Sequence, residues 1–106
     1  MYFTYIIRCE DGSLYTGITT DLQRRFNEHK SQNNKSAKYT KSHKAVKIEA
    51  AWSSDNRALA GKLEYHIKKL PKAEKEKLIS ENCIEKVLFN KIEVEKYSRL
   101  KYNGRM

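Results

Sequence analysis

Two runs of aromatic and β-branched residues, YFTYIIRC at 2–9 and LYTGI at 14–18, flank the tetrapeptide EDGS. Such side chains favour the pleated, half-buried surface of a strand, and Asp, Gly and Ser supply turn chemistry, so the segment predicts a β-hairpin. Residues of equal parity share a strand face, which groups Tyr5 with Phe3 and Ile7, and Tyr15 with Gly17. Gly17 permits close backbone approach or an unusual dihedral where strand gives way to helix. Thr20 and Gln23 fit a capping box, predicting a helix from Asp21 to about Gln32. Along it Leu22, Arg25, Phe26 and His29 fall at i, i+3, i+4 and i+7, so an arginine and a histidine share the apolar stripe facing the sheet. This geometry lets two phenols, a guanidinium and an imidazole converge.

Downstream, SQNNKSAKYTKSHK lacks periodicity and predicts a basic loop carrying Lys35, Lys38, Lys41, His43 and Lys44. AVKIEAAWS predicts a third strand, and Ser54 or Asp55 caps a helix with Leu59, Leu63, Ile67 and Leu70 on one buried face. Pro71 ends that helix and opens a short one, PKAEKEKLIS. From Asn82 the pattern of Ile84, Val87, Leu88, Ile92 and Val94 fits a helix or a late strand equally. The order ββαβαα predicts a small α+β domain, or a three-layered α/β/α one, with a short sheet. At 106 residues one domain suffices. Residues 1–80 would form its body and 81–106 a C-terminal extension packed on it or continuing it.

The 22 Lys and Arg against 13 Asp and Glu leave a net charge of +9, which makes a polyanion the leading partner. No apolar run approaches the roughly 18 residues of a spanning helix and no export signal is evident, so a soluble, intracellular location is expected, cytoplasmic or nuclear according to source. Cys9 and Cys83 lie far apart without C-x-x-C spacing, which argues against structural zinc and against a disulfide.

The convergent residue types suit phosphodiester cleavage, which needs charge stabilisation at the phosphate, a base for water and help for the leaving oxygen. Arg25 offers a planar fork matching two phosphate oxygens. A phenol is a scarce base with its ordinary pKa near ~10, unless Arg25 or a metal lowers it. Glu64, one position past Leu63 at the margin of the buried stripe, offers a carboxylate for a hydrated Mg²⁺. Each residue also has a plainer reading. Tyr5 and Tyr15 suit strand packing, Arg25 a snorkelling stripe residue, His29 a helix end, and Glu64 a surface pair with Lys68.

Taken together, FTY at 3–5, YTG at 15–17, Arg25 within DLQRRFNEH, His29 four residues later, AKYT, and Glu64 within KLEYHIKK resemble the GIY-YIG nuclease superfamily, especially its small standalone members. The resemblance covers residues 2–80. The triplets differ in letter, with Thr4 and Thr16 replacing apolar strand residues that face away from the site. The asparagine of some longer members has no counterpart among Asn82, Asn90 and Asn103, and the two cysteines exclude the zinc module of structure-selective relatives. The resemblance implies a central three-stranded antiparallel sheet flanked by helices and single-metal hydrolysis of DNA. A tyrosine, Tyr5 with Tyr15 hydrogen-bonded nearby, would take the water's proton, the choice between the two staying open. Arg25 would stabilise the phosphate, Glu64 would hold Mg²⁺ or Mn²⁺, and His29 would orient a tyrosine or contact phosphate. Arg8, Arg24, Lys38 and Lys41 would bind backbone phosphates without reading bases. The expected activity is a metal-dependent DNA endonuclease of structural rather than sequence preference, in repair or recombination. A non-catalytic nucleic-acid-binding domain of the same fold is the alternative, and a module binding acidic proteins a more distant one.

Overall fold

The computed structural model describes residues 1–31, 39, 43–81, 84–88 and 90–100, apart from the side chain of Glu85. The elements are β1 (Tyr2–Cys9), β2 (Leu14–Thr19), α1 (Leu22–Ser31), β3 (Ala45–Ser54), α2 (Arg57–Lys68), α3 (Lys72–Glu81), α4 (Ile84–Val87), a 3₁₀ turn (Val94–Lys96) and β4 (Ser98–Arg99). All strand pairs are antiparallel in the order β2-β1-β3-β4. The α+β class and flanking helices agree with expectation, but the sheet has four strands rather than three. The extra strand pairs Arg99 with Trp52 and Ser98 with Ser53. A two-residue strand carries no alternation of its own, so only tertiary pairing creates it.

The hairpin closes as its turn chemistry dictates. Gly12 takes φ +86°, a left-handed conformation that a Cβ disfavours, and its N–H donates to the Cys9 carbonyl at 2.9 Å. The register sets Tyr5 opposite Gly17 and Ile7 opposite Tyr15 on one sheet face. Two caps differ from expectation. Asp21, rather than Thr20, accepts from the Arg24 amide at 3.1 Å, and Asn56, rather than Ser54 or Asp55, accepts from the Leu59 amide at 2.9 Å. Adjacent polar residues compete for such a role, and the backbone dihedral chooses among them.

The two sheet faces bury different material. Against α2 and α3 lies an apolar cluster that includes Ile6, Trp52, Leu63, Ile67 and Leu78. Each such aliphatic side chain contributes roughly 1.5–3 kcal/mol on burial. Thr4 donates to the Ala60 carbonyl at 3.0 Å and fixes α2 on this face. Described residues after 81 join the same cluster through Ile84, Leu88, Ile92 and Tyr97. Tyr97 donates to the Leu59 carbonyl at 2.6 Å, and Arg99 donates to the Leu78 carbonyl at 3.1 Å, near the C-terminal end of α3. The other face, covered by α1, buries Tyr5, Ile7, Phe26 and Ile48. Among the described residues no helix is long and apolar enough to cross a membrane.

Candidate active site

On the α1 face, Tyr5 is 2 % exposed and His29 is 0 % exposed, yet both carry polar atoms that need partners. They find each other: the Tyr5 hydroxyl and His29 Nε2 are 2.8 Å apart. Arg25, one helical turn before His29, also hydrogen-bonds the Tyr5 oxygen. The phenol oxygen accepts from Arg25, and its contact with His29 Nε2 is made by the phenol hydrogen or by the imidazole N–H according to the tautomer. Burial first, and then the neighbouring Arg25 charge, push His29 down to about 4, which keeps it neutral near pH 7.

For Tyr5 the outcome is opposite to the expected one. Burial, helped by Tyr15, raises its pKa well above the ordinary phenol value, outweighing the lowering by Arg25. In a low-dielectric setting, desolvation of the phenolate outweighs one nearby cation. The protein alone therefore holds Tyr5 as a neutral phenol.

Gly17 is required by this packing rather than by its dihedral. A Cβ there would lie 2.5 Å from the Tyr5 hydroxyl and 3.2 Å from Tyr15 Cε2. Tyr15, half-buried on the outermost strand, has its ring 6.4 Å from that of Tyr5 and 5.2 Å from that of His29. Its interplanar angle with Tyr39, at 5.8 Å, is 22°, and Tyr39 in turn stacks on His43 at 4.0 Å.

Glu64 comes from α2, which covers the opposite sheet face, but β2 is the sheet edge and the helix margin reaches round it. Lys68 Nζ is 5.9 Å from the Tyr15 ring centroid and 3.2 Å from Glu64 Oε2. The Glu64 charge acts on Tyr5, raising its pKa. Glu64 is thus both the surface partner of Lys68 and a neighbour of the phenols. Among the described residues no group of three His, Cys, Asp or Glu gathers as a metal cage. One carboxylate with 24 % of its side chain exposed is a donor set that fits a hard divalent ion retaining most of its water.

The remaining candidate residues divide. Arg24 is 55 % exposed beside the site and pairs with Glu28 at 3.1 Å. Arg8 points to the other sheet face, where Glu49 at 2.9 Å and Glu76 hold its guanidinium, so much of its charge is compensated within the fold. Lys38 and Lys41 lie outside the described residues. Sequence reasoning passed over Glu28, whose carboxylate bridges Arg24 and Arg25, the latter at 2.8 Å. Its i+4 and i+3 spacing from those arginines was the signal that could have found it. It also passed over Tyr39 as a wall of the Tyr15 pocket.

Comparison with known proteins shows the family to which the chain belongs. A family model described as the GIY-YIG catalytic domain matches residues 1–77. The UPF0213 protein FN1575 of Fusobacterium nucleatum is 53 % identical over 79 residues, covering 74 % of this chain and 77 % of that protein. The UPF0213 protein YhbQ of Escherichia coli O127:H6 is 38 % identical over 92 residues, covering 87 % and 90 %. The solution NMR structure of the UPF0213 protein BH0048 from Bacillus halodurans is 40 % identical, covers 76 % and 84 %, and has a TM-score of 0.45. The chain belongs to the GIY-YIG catalytic-domain family, whose fold is a nuclease fold.

Proposed function

We propose that this protein is a metal-dependent endonuclease that hydrolyses DNA phosphodiester bonds with structural rather than strong sequence preference, acting in DNA repair or recombination. The observation that carries this reading is the Arg25–Tyr5–His29 chain, with its 2.8 Å phenol–imidazole contact, beside Glu64. Packing alone explains a buried tyrosine. It does not explain a buried phenol–imidazole pair beside a half-buried arginine and a carboxylate.

In this reading, Arg25 uses its remaining N–H groups to hold the phosphate undergoing attack and to neutralise the charge that grows there. Tyr5 accepts a proton from the attacking water while passing its own to His29 Nε2, so no free phenolate forms beforehand. The negative charge of a bound phosphodiester raises the proton affinity of His29 and favours that transfer. Tyr15 positions the pair by packing against both rings. Glu64 would hold Mg²⁺ or Mn²⁺, which supplies Lewis-acid stabilisation at the phosphate and leaving oxygen. Lys68, now paired with Glu64 at 3.2 Å, would be the cation available to the backbone phosphates were Glu64 engaged by the ion. Arg24 and the basic loop residues Lys38 and Lys41 bind flanking phosphates without reading bases.

The test is a panel of labelled junctions, flaps, hairpins and single strands incubated with and without Mn²⁺. The reading predicts metal-dependent nicks concentrated on particular structures. Metal-independent binding with no cleavage of any member would contradict it, and would leave a nucleic-acid-binding domain of the same fold.

A further inference from the structure

A polar hollow of about 340 Å³ opens beside Arg25, away from His29, and three arginines line it: Arg24 and Arg25 from α1 and Arg57 from the start of α2. Thr19 and Thr20 add two hydroxyl groups to its wall, and Glu28 is the sole carboxylate among its lining residues. Three guanidinium groups against one carboxylate leave the lining with a formal charge of +2. Glu28 spends its two oxygens on Arg24 and Arg25. Arg57 is exposed and makes no ion pair with any described residue. Like charges directed at one cavity repel, and an anionic occupant relieves that repulsion.

Helix geometry relates this hollow to the candidate catalytic groups. Arg57 and Glu64 stand seven residues apart on α2, two turns that return to one helix face with an axial separation of about 10 Å. Successive phosphates of a stacked strand rise about 3.4 Å along the axis. A phosphate at Arg57 therefore lies a few nucleotides from one held between Arg25 and Glu64. We infer that this hollow is a second phosphate subsite, with Arg57 as its principal ligand, which binds the nucleic-acid backbone flanking the scissile position. The inference rests on the proposed nuclease reading and adds a direction: the strand runs from Glu64 past Arg25 toward the start of α2.

The test is binding of a short labelled single-stranded oligonucleotide in metal-chelating buffer, followed across a salt series. Arg57→Ala is expected to weaken binding about fivefold and to shallow the salt slope by about one unit. Arg57→Lys keeps the charge and most of that slope. Lys96→Ala removes an equal charge near β4, at the far sheet edge from β2, and is expected to change affinity less than about twofold. A walk of single neutral methylphosphonates is expected to find one linkage at which the Arg57→Ala effect disappears. Equal losses from Arg57→Ala and Lys96→Ala, or an Arg57 effect at no particular linkage, would overturn the subsite. If the Arg57 dependence holds but no DNA is cut with Mn²⁺, the subsite stands and the nuclease reading falls. If DNA is cut and Arg57→Ala behaves as wild type, the subsite alone falls.

Discussion

The two faces of the sheet are built by opposite rules, although the same strands supply both. The α2 and α3 face is filled mainly by aliphatic side chains, which need no hydrogen-bond partners; Trp52 adds a buried indole N–H without a partner among the described residues, and Thr4 and Tyr97 tie the face to α2. The α1 face buries a phenol and an imidazole where aliphatic groups would pack more cheaply. Both groups are shifted away from their charged forms by that burial. Stability is thus drawn chiefly from one face, and the proposed proton chemistry belongs to the other. Helix α2 takes part in both, since Leu63 is fully buried in the apolar cluster while the charge of Glu64, its neighbour, acts on Tyr5.

Substitutions should separate the faces. Leu63→Ala empties part of a close-packed core and is expected to lower unfolding free energy by about 2–5 kcal/mol. Cleavage per folded molecule should stay at the wild-type rate, measured below the lowered melting temperature. A proportionate fall in that rate would break the division between the faces. On the α1 face the pattern reverses. Arg25→Ala is expected to reduce the cleavage rate roughly 10²-fold or more, as loss of a main charge-stabilising donor does. Its melting temperature should move little, because the Arg25–Glu28 pair is partly exposed.

A smaller effect comes from His29 through pH. An ordinary histidine takes up a proton near 6.5, whereas native His29 resists it down to about 4. Between those values the unfolded chain holds a proton that the native state lacks. Stability therefore falls as pH drops from about 6.5 toward 4, by roughly 3 kcal/mol from this group, and the contribution levels off below. Above about 6.5 both states are neutral and nothing is gained. The difference between wild type and His29→Gln across that window isolates the effect from titrating carboxylates. A flat difference would show that the imidazole is not held neutral by burial.

What could be read in the sequence was mostly local. The hairpin, the parity of Tyr5 with Ile7 and of Tyr15 with Gly17, and the stripe of Phe26 and His29 follow from periods of two and of 3.6 residues, which need no knowledge of distant partners. Helix α2 and its buried Leu63 and Ile67 were legible for the same reason. Features fixed by distant contacts were not. That Glu49 and Glu76 hold Arg8 could not be read, because they meet it from 41 and 68 residues away. The fourth strand exists only by pairing with β3. The pKa of Tyr5 depended on a contest between burial and Arg25, and no spacing rule decides how dry a site will be. Glu64 reaching the phenols from a helix on the other face required knowing that β2 is the sheet edge.

The most direct test of the shared site is Glu64→Ala, assayed for DNA cleavage with Mn²⁺ and for DNA binding in one preparation. Because Glu64 is partly exposed and its ion pair among the described residues is with Lys68, the variant should fold and bind DNA with near-wild-type affinity while cleavage falls to background. Equal cleavage by Glu64→Ala and wild type would contradict the account, since the carboxylate would then have no part in the chemistry assigned to its neighbours.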